Sequence, residues 1–132
     1  SGTSNESTND DLYGEAGDDV LSASDGDNIL DGGTGADTIR SGSGSDTIVV
    51  RSGSGGSTLA DADTITDFTD GADVLGLDDG LLFSDLSVEQ GTGDYSNDAL
   101  VSITATEEYL AIVEGINATA LTEVDFTPVD IL

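Results

Sequence analysis

Aliphatic side chains recur at every ninth position through the first part of the chain, between stretches that are otherwise polar. The recurring residues are Leu12, Leu21, Leu30, Ile39 and Ile48. Each is flanked by residues of mixed character, and successive side chains of a strand point to opposite faces. The pattern therefore predicts five three-residue strands, each of which turns one aliphatic side chain inward and its neighbours towards water.

The aliphatic position is the eighth place of a nine-residue unit that repeats head to tail through residues 5–49. An acid or its amide occupies the sixth place of each unit: Asp10, Asp19, Asn28, Asp37 and Asp46. Glycine occupies the fourth place of four units: Gly17, Gly26, Gly35 and Gly44. A tight loop needs glycine where φ is positive or where two backbones approach closely. The unit fits the template G-G-x-G-x-D-x-U-x, which is typical of calcium-binding β-helices.

Two units complete one coil of eighteen residues, so the loops of alternate units should stack on each other. This arrangement brings Asp10, Asn28 and Asp46 together on one side, and Asp19 and Asp37 on the other. Calcium prefers oxygen ligands, and an ion between stacked loops could take carboxylates together with backbone carbonyls. We therefore expect about three to five calcium ions, bound more weakly where Asn28 offers only a neutral oxygen.

Further acids lie in the same loops and could assist: Asp18, Asp25 and Asp27. The sixth unit, residues 50–58, keeps Gly53 at the fourth place but has Gly55 where the acid belongs, so we interpret it as the end of the repeat. A disordered Gly/Ser/Asp-rich linker is the alternative interpretation. Such a linker has no reason to place an aliphatic residue at every ninth position five times.

The rest of the chain has a different pattern and holds five of the six aromatic residues. Strand-like segments occur at residues 63–68, 73–77, 86–90, 99–105 and 108–115. The last two flank Thr106 and Glu107 and could form a hairpin, and residues 116–126 could contain a helical turn that Pro128 stops. We predict an all-β protein, in which a parallel β-roll at residues 1–58 is followed by a small antiparallel β cap at residues 59–132. The cap would cover the edge of the last coil.

The repeats resemble the C-terminal region of secreted RTX (repeats-in-toxin) proteins. Residues 61–81 strengthen the resemblance, because Asp63, Ile65, Asp67, Phe68, Gly71 and Asp73 form the D-x-I-x-D-F-x-x-G-x-D pattern that commonly follows the last repeat of that family. The ending VDFTPVDIL is similar to C-terminal regions that type I secretion systems recognise. The first unit departs from the family because it lacks glycine, and Asn28 departs because it replaces the acid.

The resemblance implies a secreted, extracellular bacterial protein and a fused upstream domain. It also implies the type I secretion machinery as a partner, with Asp130, Ile131 and Leu132 contributing to the signal. Acids after the last repeat carry calcium in similar proteins, so Asp63 and Asp67, with Asp61, could bind one more ion. Solvated turn residues are the alternative interpretation of these three acids.

The charge of the chain narrows its partners. Twenty-eight acids face two bases, Arg40 and Arg51, for a formal net charge of −26. Such a surface disfavours nucleic acid and anionic lipid, and no apolar stretch is long enough for membrane insertion. The chain has no Cys, His or Lys, which removes disulfides and most pairs of nucleophile and base, so we do not expect an enzyme.

Three function classes follow from these observations. The first is a module that folds on meeting extracellular calcium and carries the secretion signal of a larger protein. The second is a calcium-stabilised module that binds a polysaccharide or a cell surface. The third, a catalytic domain, is disfavoured by the residue inventory. The repeat buries about one aliphatic residue in nine, which is too little to offset roughly 1–2 kcal/mol of backbone entropy per residue without metal.

Overall fold

The computed structural model describes residues 11–23 and 25–130, and this part of the chain contains eleven β-strands. The strands are β1 (Asp11–Tyr13), β2 (Val20–Ser22), β3 (Ile29–Asp31), β4 (Thr38–Arg40), β5 (Thr47–Val50), β6 (Asp63–Ile65), β7 (Val74–Leu77), β8 (Leu86–Gln90), β9 (Ala99–Ile103), β10 (Glu108–Val113) and β11 (Phe126–Pro128). The five strands predicted from the nine-residue period are all present at the expected positions.

Alternate strands of the repeat stack into two separate sheets, as the eighteen-residue coil predicts. One sheet has the order β1-β3-β5-β7-β11, and the other has the order β2-β4-β6-β10-β9-β8. Within the repeat every pairing is parallel, with Leu12 beside Leu30 and Leu21 beside Ile39. The predicted all-β fold with a parallel β-roll is therefore confirmed.

The core consists of two aliphatic ladders, one from each sheet. Leu30, Ile48 and Leu75 stack in register in the first sheet, and Ile39 stacks on Ile65 in the second. All five side chains are completely buried. Each strand of the repeat contributes its central aliphatic residue to one of these ladders, as the period predicts.

Parallel pairing continues beyond the last recognisable repeat. Strand β6 pairs with β4, and β7 pairs with β5, although the sequence separation between partners grows from 18 to 26 and 27 residues. The ladder continues because strand pairing depends on backbone hydrogen bonds, which tolerate a longer loop between strands. The division at residue 58 stays a prediction, and no break in either sheet marks it.

The predicted β cap is antiparallel only in part. Strands β8, β9 and β10 form an antiparallel meander that contains the predicted hairpin, but β10 joins the roll by pairing in parallel with β6. Strand β11 likewise pairs in parallel with β7. Together β10 and β11 cover the edges of the last coil, so the cap extends both sheets.

The segment after β10 corrects one prediction. It contains short 3₁₀ turns at Ala118–Ala120 and Glu123–Asp125, but Pro128 does not merely stop a helical turn. Pro128 is the last residue of strand β11, which lies at the edge of its sheet. A proline is tolerated there because no further strand needs its missing N–H group. The described helices are all short 3₁₀ turns, and none is long and apolar enough to cross a membrane.

Candidate metal centre

The loops of the repeat stack so closely that glycine is required at the fourth place. Gly17, Gly26, Gly35 and Gly44 all have φ between +96° and +105°. A Cβ atom on Gly35 would lie 2.4 Å from the carbonyl oxygen of Gly17, and one on Gly44 would lie 2.3 Å from that of Gly26. The carbonyl oxygens of Gly17 and Gly26 therefore face the next loop, where they could contact an ion between the loops.

One acidic ladder runs along the loops that precede the second sheet. The backbone N–H of Asp19 donates to Asp37 Oδ1 at 2.7 Å, and the N–H of Asp37 donates to Asp63 Oδ1 at 2.9 Å. Each carboxylate thus uses one oxygen to bind the backbone of the preceding coil. Asp63, predicted as an acid of a separate junction site, instead occupies the next step of this ladder.

The second ladder has the same geometry on the opposite side of the roll. The N–H of Asn28 donates to Asp46 Oδ1 at 2.8 Å, and the N–H of Asp46 donates to Asp73 Oδ1 at 2.9 Å. Asp10, the predicted first member, lies outside the described residues. Asp73 was absent from the predicted ligands, although its place in the D-x-I-x-D-F-x-x-G-x-D pattern was a signal that could have identified it.

The side chain of Asn28 does more than reduce the charge of its ladder. Its Nδ2 donates to the carbonyl oxygen of Gly26 in its own loop at 3.1 Å and to that of Ser41 in the next coil at 3.4 Å. The amide thus competes with any metal ion for these two carbonyl oxygens. This contact supports the expectation that calcium binds more weakly beside Asn28.

The ladders contain buried negative charge that lacks a donor. Oδ2 of Asp37 and Oδ2 of Asp46 are both buried and accept no hydrogen bond. Burial raises the pKa of each of these carboxyls to about 6, and burial raises the pKa of Asp63 to about 8. An unpaired buried carboxylate is costly, so each of these oxygens fits a bound cation.

The donor set matches calcium and needs backbone oxygens to be complete. The described residues contain no group of three or more acidic side chains that could hold a metal ion by themselves. Asp19 and Asp37 could bind an ion with the carbonyl of Gly17, and Asp46 could do so with that of Gly26. Hard oxygen ligands of this kind, mixed between carboxylate and carbonyl, are those that calcium prefers.

The remaining predicted ligands hold the loops together through backbone N–H groups. Asp18 accepts from the N–H of Ala36 at 2.8 Å, and Asp27 accepts from the N–H of Ser45 at 2.8 Å, each in the next coil. Both acids are exposed. These contacts connect successive coils, and whether either carboxylate also binds calcium stays a prediction.

The three acids of the predicted junction site bind different partners. Asp61 accepts from Thr58 within its own turn, whereas Asp67 accepts from the N–H groups of Ser41 and Gly42 at 2.9 and 2.8 Å. Asp63 belongs to the first ladder. The three acids share no hydrogen-bond partner, so no contact between them supports a shared calcium ion. The junction site stays a prediction.

Arg51, which is largely but not fully buried, balances the charge of two acids. Arg51 Nη1 donates to Asp31 Oδ1 at 3.0 Å and Nη2 donates to Asp31 Oδ2, while Nε and Nη2 donate to Asp78 Oδ2 at 3.0 and 2.9 Å. The three side chains are 11%, 8% and 0% exposed, respectively. The hydrogen bond to Asp31 is the largest cause of a raised pKa of Arg51, and the bond to Asp78 acts in the same direction. Desolvation of the guanidinium lowers the pKa, but the net shift is upward. These residues lie at the ends of the stacked strands β3, β5 and β7.

The sixth unit lacks its acid because there is no room for a side chain. A Cβ atom on Gly55 would lie 1.8 Å from the carbonyl oxygen of Tyr109 in β10. The neighbouring Glu108 supplies a carboxylate instead, since it accepts from the N–H of Gly53 at 2.8 Å and from that of Gly55 at 2.9 Å. No sequence signal links these positions, because they lie more than fifty residues apart.

Comparisons with known proteins agree with this geometry. A family model of the RTX calcium-binding nonapeptide repeat, which comprises four copies, matches residues 6–39 and 22–56. Among curated proteins, none matches the sequence significantly. The solution structure of the AlgE6R2 subunit from the Azotobacter vinelandii mannuronan C5-epimerase has a TM-score of 0.61 at 23% identity, covering 100% of this chain and 95% of that chain.

Two further solved structures share the fold. The AlgE6R3 subunit from the same epimerase has a TM-score of 0.53 at 20% identity, covering 90% of this chain and 78% of that one. The extracellular lipase LipA from Serratia marcescens has a TM-score of 0.51 at 14% identity, and the match covers 92% of this chain but 20% of the lipase. The repeat, the stacked loops and these matches together show that residues 6–56 are RTX calcium-binding nonapeptide repeats and that the chain has the β-roll fold.

Proposed function

We propose that the chain is a folding and export module, which acquires its structure on meeting extracellular calcium and carries the C-terminal type I secretion signal of a larger bacterial exoprotein. The observation that carries the proposal is the pair of buried carboxylate oxygens, on Asp37 and Asp46, that have no hydrogen-bond donor. Without a cation these groups oppose the stacking of the loops, and with a cation they favour it.

The expected stabilisation is large enough to act as a folding trigger. A site held at about 100 times its dissociation constant adds roughly 2.7 kcal/mol, so three sites would add on the order of 8 kcal/mol. That value is comparable with the whole stability of a small domain, roughly 5–15 kcal/mol. Extracellular calcium modules bind at about 10⁻⁴–10⁻³ M, so the sites would fill outside a cell and stay vacant inside it. The repeat region would then cross the secretion machinery unfolded.

A titration tests the calcium trigger. Circular dichroism should show a rise in strand content as calcium reaches millimolar concentration, and calorimetry should count three to five ions. The double variant Asp37→Asn with Asp46→Asn should lose most of this response because both unpaired oxygens are replaced by neutral amides. Asp94→Asn removes one charge at an exposed position far from the ladders and serves as the control. Equal strand content in chelator and in calcium would show that the trigger does not exist.

The export signal is tested separately from calcium binding. Removing residues 130–132 leaves β11 intact, so the shortened chain should still fold with calcium. If these residues belong to the signal, export by a type I system should fall while the dichroism spectrum in calcium is unchanged. A shortened chain that is exported at the rate of the full chain would remove the tail from the proposal.

A second candidate function is binding of a polysaccharide or a cell surface. Two of the similar structures are subunits of a mannuronan C5-epimerase, so rolls of this kind occur in an enzyme that acts on a polysaccharide. The specific observation in this chain is a polar trough on the outer face of the β8-β9-β10 meander. Loss of retention on a glycan, rather than loss of export, would distinguish this function from the first.

A further inference from the structure

The outer face of the β8-β9-β10 meander is concave and polar. Ser87 pairs with Ser102 and Ser102 pairs with Tyr109 in the antiparallel register, so the three residues form one row across the strands. Their neighbours Val101, Ile103 and Leu110 are buried in the core. Because side chains alternate along a strand, the row of two serines and a tyrosine faces away from the core.

Two rims turn this face into a trough of about 330 Å³. One rim is the loop that precedes Ser57, which is held against β10 by mutual hydrogen bonds between the backbones of Gly56 and Tyr109 at 2.7 and 3.3 Å. The other rim is the turn between β9 and β10, which contributes Thr104 and Glu107. The volume lies at the lower end of the range for small-molecule sites, about 300–1,000 Å³.

The chemistry of the lining is that of hydroxyl recognition. The residues that line the trough are Ser57, Ser87, Glu89, Ser102, Ile103, Thr104, Glu107 and Tyr109. Ser87 and Thr104 share a hydrogen bond of 2.6 Å, so one of the two hydroxyls is the donor and the other keeps its O–H for a ligand. Carboxylates accept hydrogen bonds from ligand hydroxyls, and the tyrosine ring offers an apolar face with a polar tip. A pyranose has the complementary surface, with hydroxyls at its edge and C–H groups on its face.

The charge of the trough excludes an anionic ligand. None of the residues that line it is basic, and two of them, Glu89 and Glu107, are acidic. Arg51 is engaged by Asp31 and Asp78 in the ion cluster of the roll, while Arg40 lies on β4. The formal charge of −26 remains strongly negative with three to five calcium ions bound, and such a charge disfavours a polyuronate or a sulfated glycan.

We propose that this trough binds an uncharged pyranose unit of an extracellular polysaccharide, with Tyr109 as the stacking platform. The proposal deepens the second candidate function and rests on it. The trough depends on the roll, because β10 pairs with β6 and the rim loop connects β5 with β6. Binding should therefore require calcium, and it should fail with the fold when calcium is removed.

Affinity electrophoresis in calcium tests the proposal, with gels that contain a soluble β-glucan, a galactomannan or an arabinogalactan, and a polyuronate gel for comparison. We expect retardation by at least one uncharged polymer and none by the polyuronate. Tyr109→Ala should weaken the retarding interaction about tenfold, in keeping with an aromatic contact. Tyr13→Ala is the matched control, since Tyr13 is a 45% exposed tyrosine on the other sheet.

Circular dichroism on the same samples separates failure of the site from failure of the calcium-induced fold. If Tyr109→Ala does not fold, Thr104→Gln provides a second variant, because this exposed residue lies on the rim and a longer side chain would fill the trough. A folded protein that none of the three uncharged polymers retards would overturn the proposal. Equal losses in Tyr109→Ala and Tyr13→Ala, or full binding by folded Thr104→Gln, would also overturn it.

Discussion

The loops of residues 14–46 and the segment from residue 47 to residue 130 contain similar buried acids but balance their charge differently. In the loops, Oδ2 of Asp37 and of Asp46 has no donor and needs a cation from outside. In the later segment, both oxygens of Asp73 accept backbone N–H groups, from Asp46 and Thr69, and Asp78 accepts from Arg51. The repeat loops thus leave two carboxylate oxygens open to a cation, whereas Asp73, Asp78 and also Asp31 of the repeat are balanced by groups of the chain itself.

This difference in hydrogen-bond donors predicts which strands depend on calcium. A buried carboxylate that has its own hydrogen-bond donors is satisfied whether or not calcium is present. A buried carboxylate without donors destabilises the fold when calcium is absent and stabilises it when calcium is bound. The loop at Gly55 marks the change, because there Glu108 bonds to the backbone of the sixth unit where the repeat would have placed an acid. Calcium dependence should therefore decline along the chain from the repeats towards β10.

Removal of calcium should have the largest effect and divide the two regions. As free calcium falls, amide hydrogens of β2 to β4 should lose protection before those of β9 and β10, since the sites nearest the repeats contribute on the order of 8 kcal/mol together. Hydrogen exchange monitored by mass spectrometry at a series of buffered calcium concentrations measures the order. Simultaneous loss of protection in all strands would show that the two regions unfold as a single cooperative unit.

Arg51→Met should destabilise the protein by about 3–5 kcal/mol even in saturating calcium, because Asp31 and Asp78 would remain buried without their cation. Denaturant unfolding in calcium measures the change. Arg40→Met is the matched control, since Arg40 is exposed, and it should cost less than about 0.5 kcal/mol. Adding Asp31→Asn and Asp78→Asn to Arg51→Met should restore much of the loss. A small effect of Arg51→Met alone would show that Arg51 is not needed to balance the charges of Asp31 and Asp78.

Acidification should stabilise the metal-free fold but weaken calcium binding. The folded pKa values of Asp37 and Asp46, about 6, lie above the ordinary value of 3.8, so the metal-free fold binds more protons than the unfolded chain between these values. Its stability is therefore greatest below pH 3.8 and is lost as pH rises through about 6. Calcium competes with these protons, so calcium affinity should fall as pH drops through about 6.

Dichroism in chelator and calorimetry in calcium, each measured across this pH range, provide the two readings. Burial also raises the pKa of Asp63 to about 8, which extends the loss of metal-free stability to higher pH. Parallel pH trends for metal-free stability and for calcium affinity would contradict the assignment of Asp37 and Asp46 as the cation ligands.

Asn28→Asp should have a smaller effect than calcium removal, Arg51→Met or acidification. It tests whether Asn28 makes one ladder of the roll a weaker calcium site than the other. The change replaces an amide that binds the carbonyls of Gly26 and Ser41 with a carboxylate, which could bind an ion there. Calcium affinity should rise about tenfold, or roughly 1.4 kcal/mol, or one further ion should bind. Calorimetry measures both, with the exposed Asn97→Asp as the control for added charge. An unchanged isotherm would show that Asn28 does not limit calcium binding.

The regular part of the fold was predictable because it repeats. Leu21 and Ile39 are separated by two nine-residue units, so the coil length predicts that they stack. The same spacing places Asp19 and Asp37 in one ladder. The contribution of Asp63 to the same ladder was not predictable, because the loop before β6 is longer and the spacing changes to 26 residues. Periodicity carries information only while the period is kept.

The other surprises involve contacts between distant positions. Arg51 is one of two bases in a very acidic chain, and nothing in its local sequence distinguishes it from exposed Arg40. Its two ion pairs follow from its position directly after β5, between Asp31 at the end of β3 and Asp78 directly after β7. The position of Pro128 also depends on the tertiary structure, because a proline is tolerated in β11 only where that strand is the edge of its sheet.

The nine-residue spacing was enough to predict the coil, the inward aliphatic positions, the acidic loops and the preference for calcium. These features depend on residues within one or two units, where spacing translates directly into neighbourhood. Which carboxylates have donors of their own follows only from the three-dimensional fold, because Arg51 reaches Asp31 across 20 residues and Glu108 reaches the N–H group of Gly55 across 53. Buried charge is balanced by whatever lies within hydrogen-bond distance, and that neighbourhood exists only after the two sheets have formed.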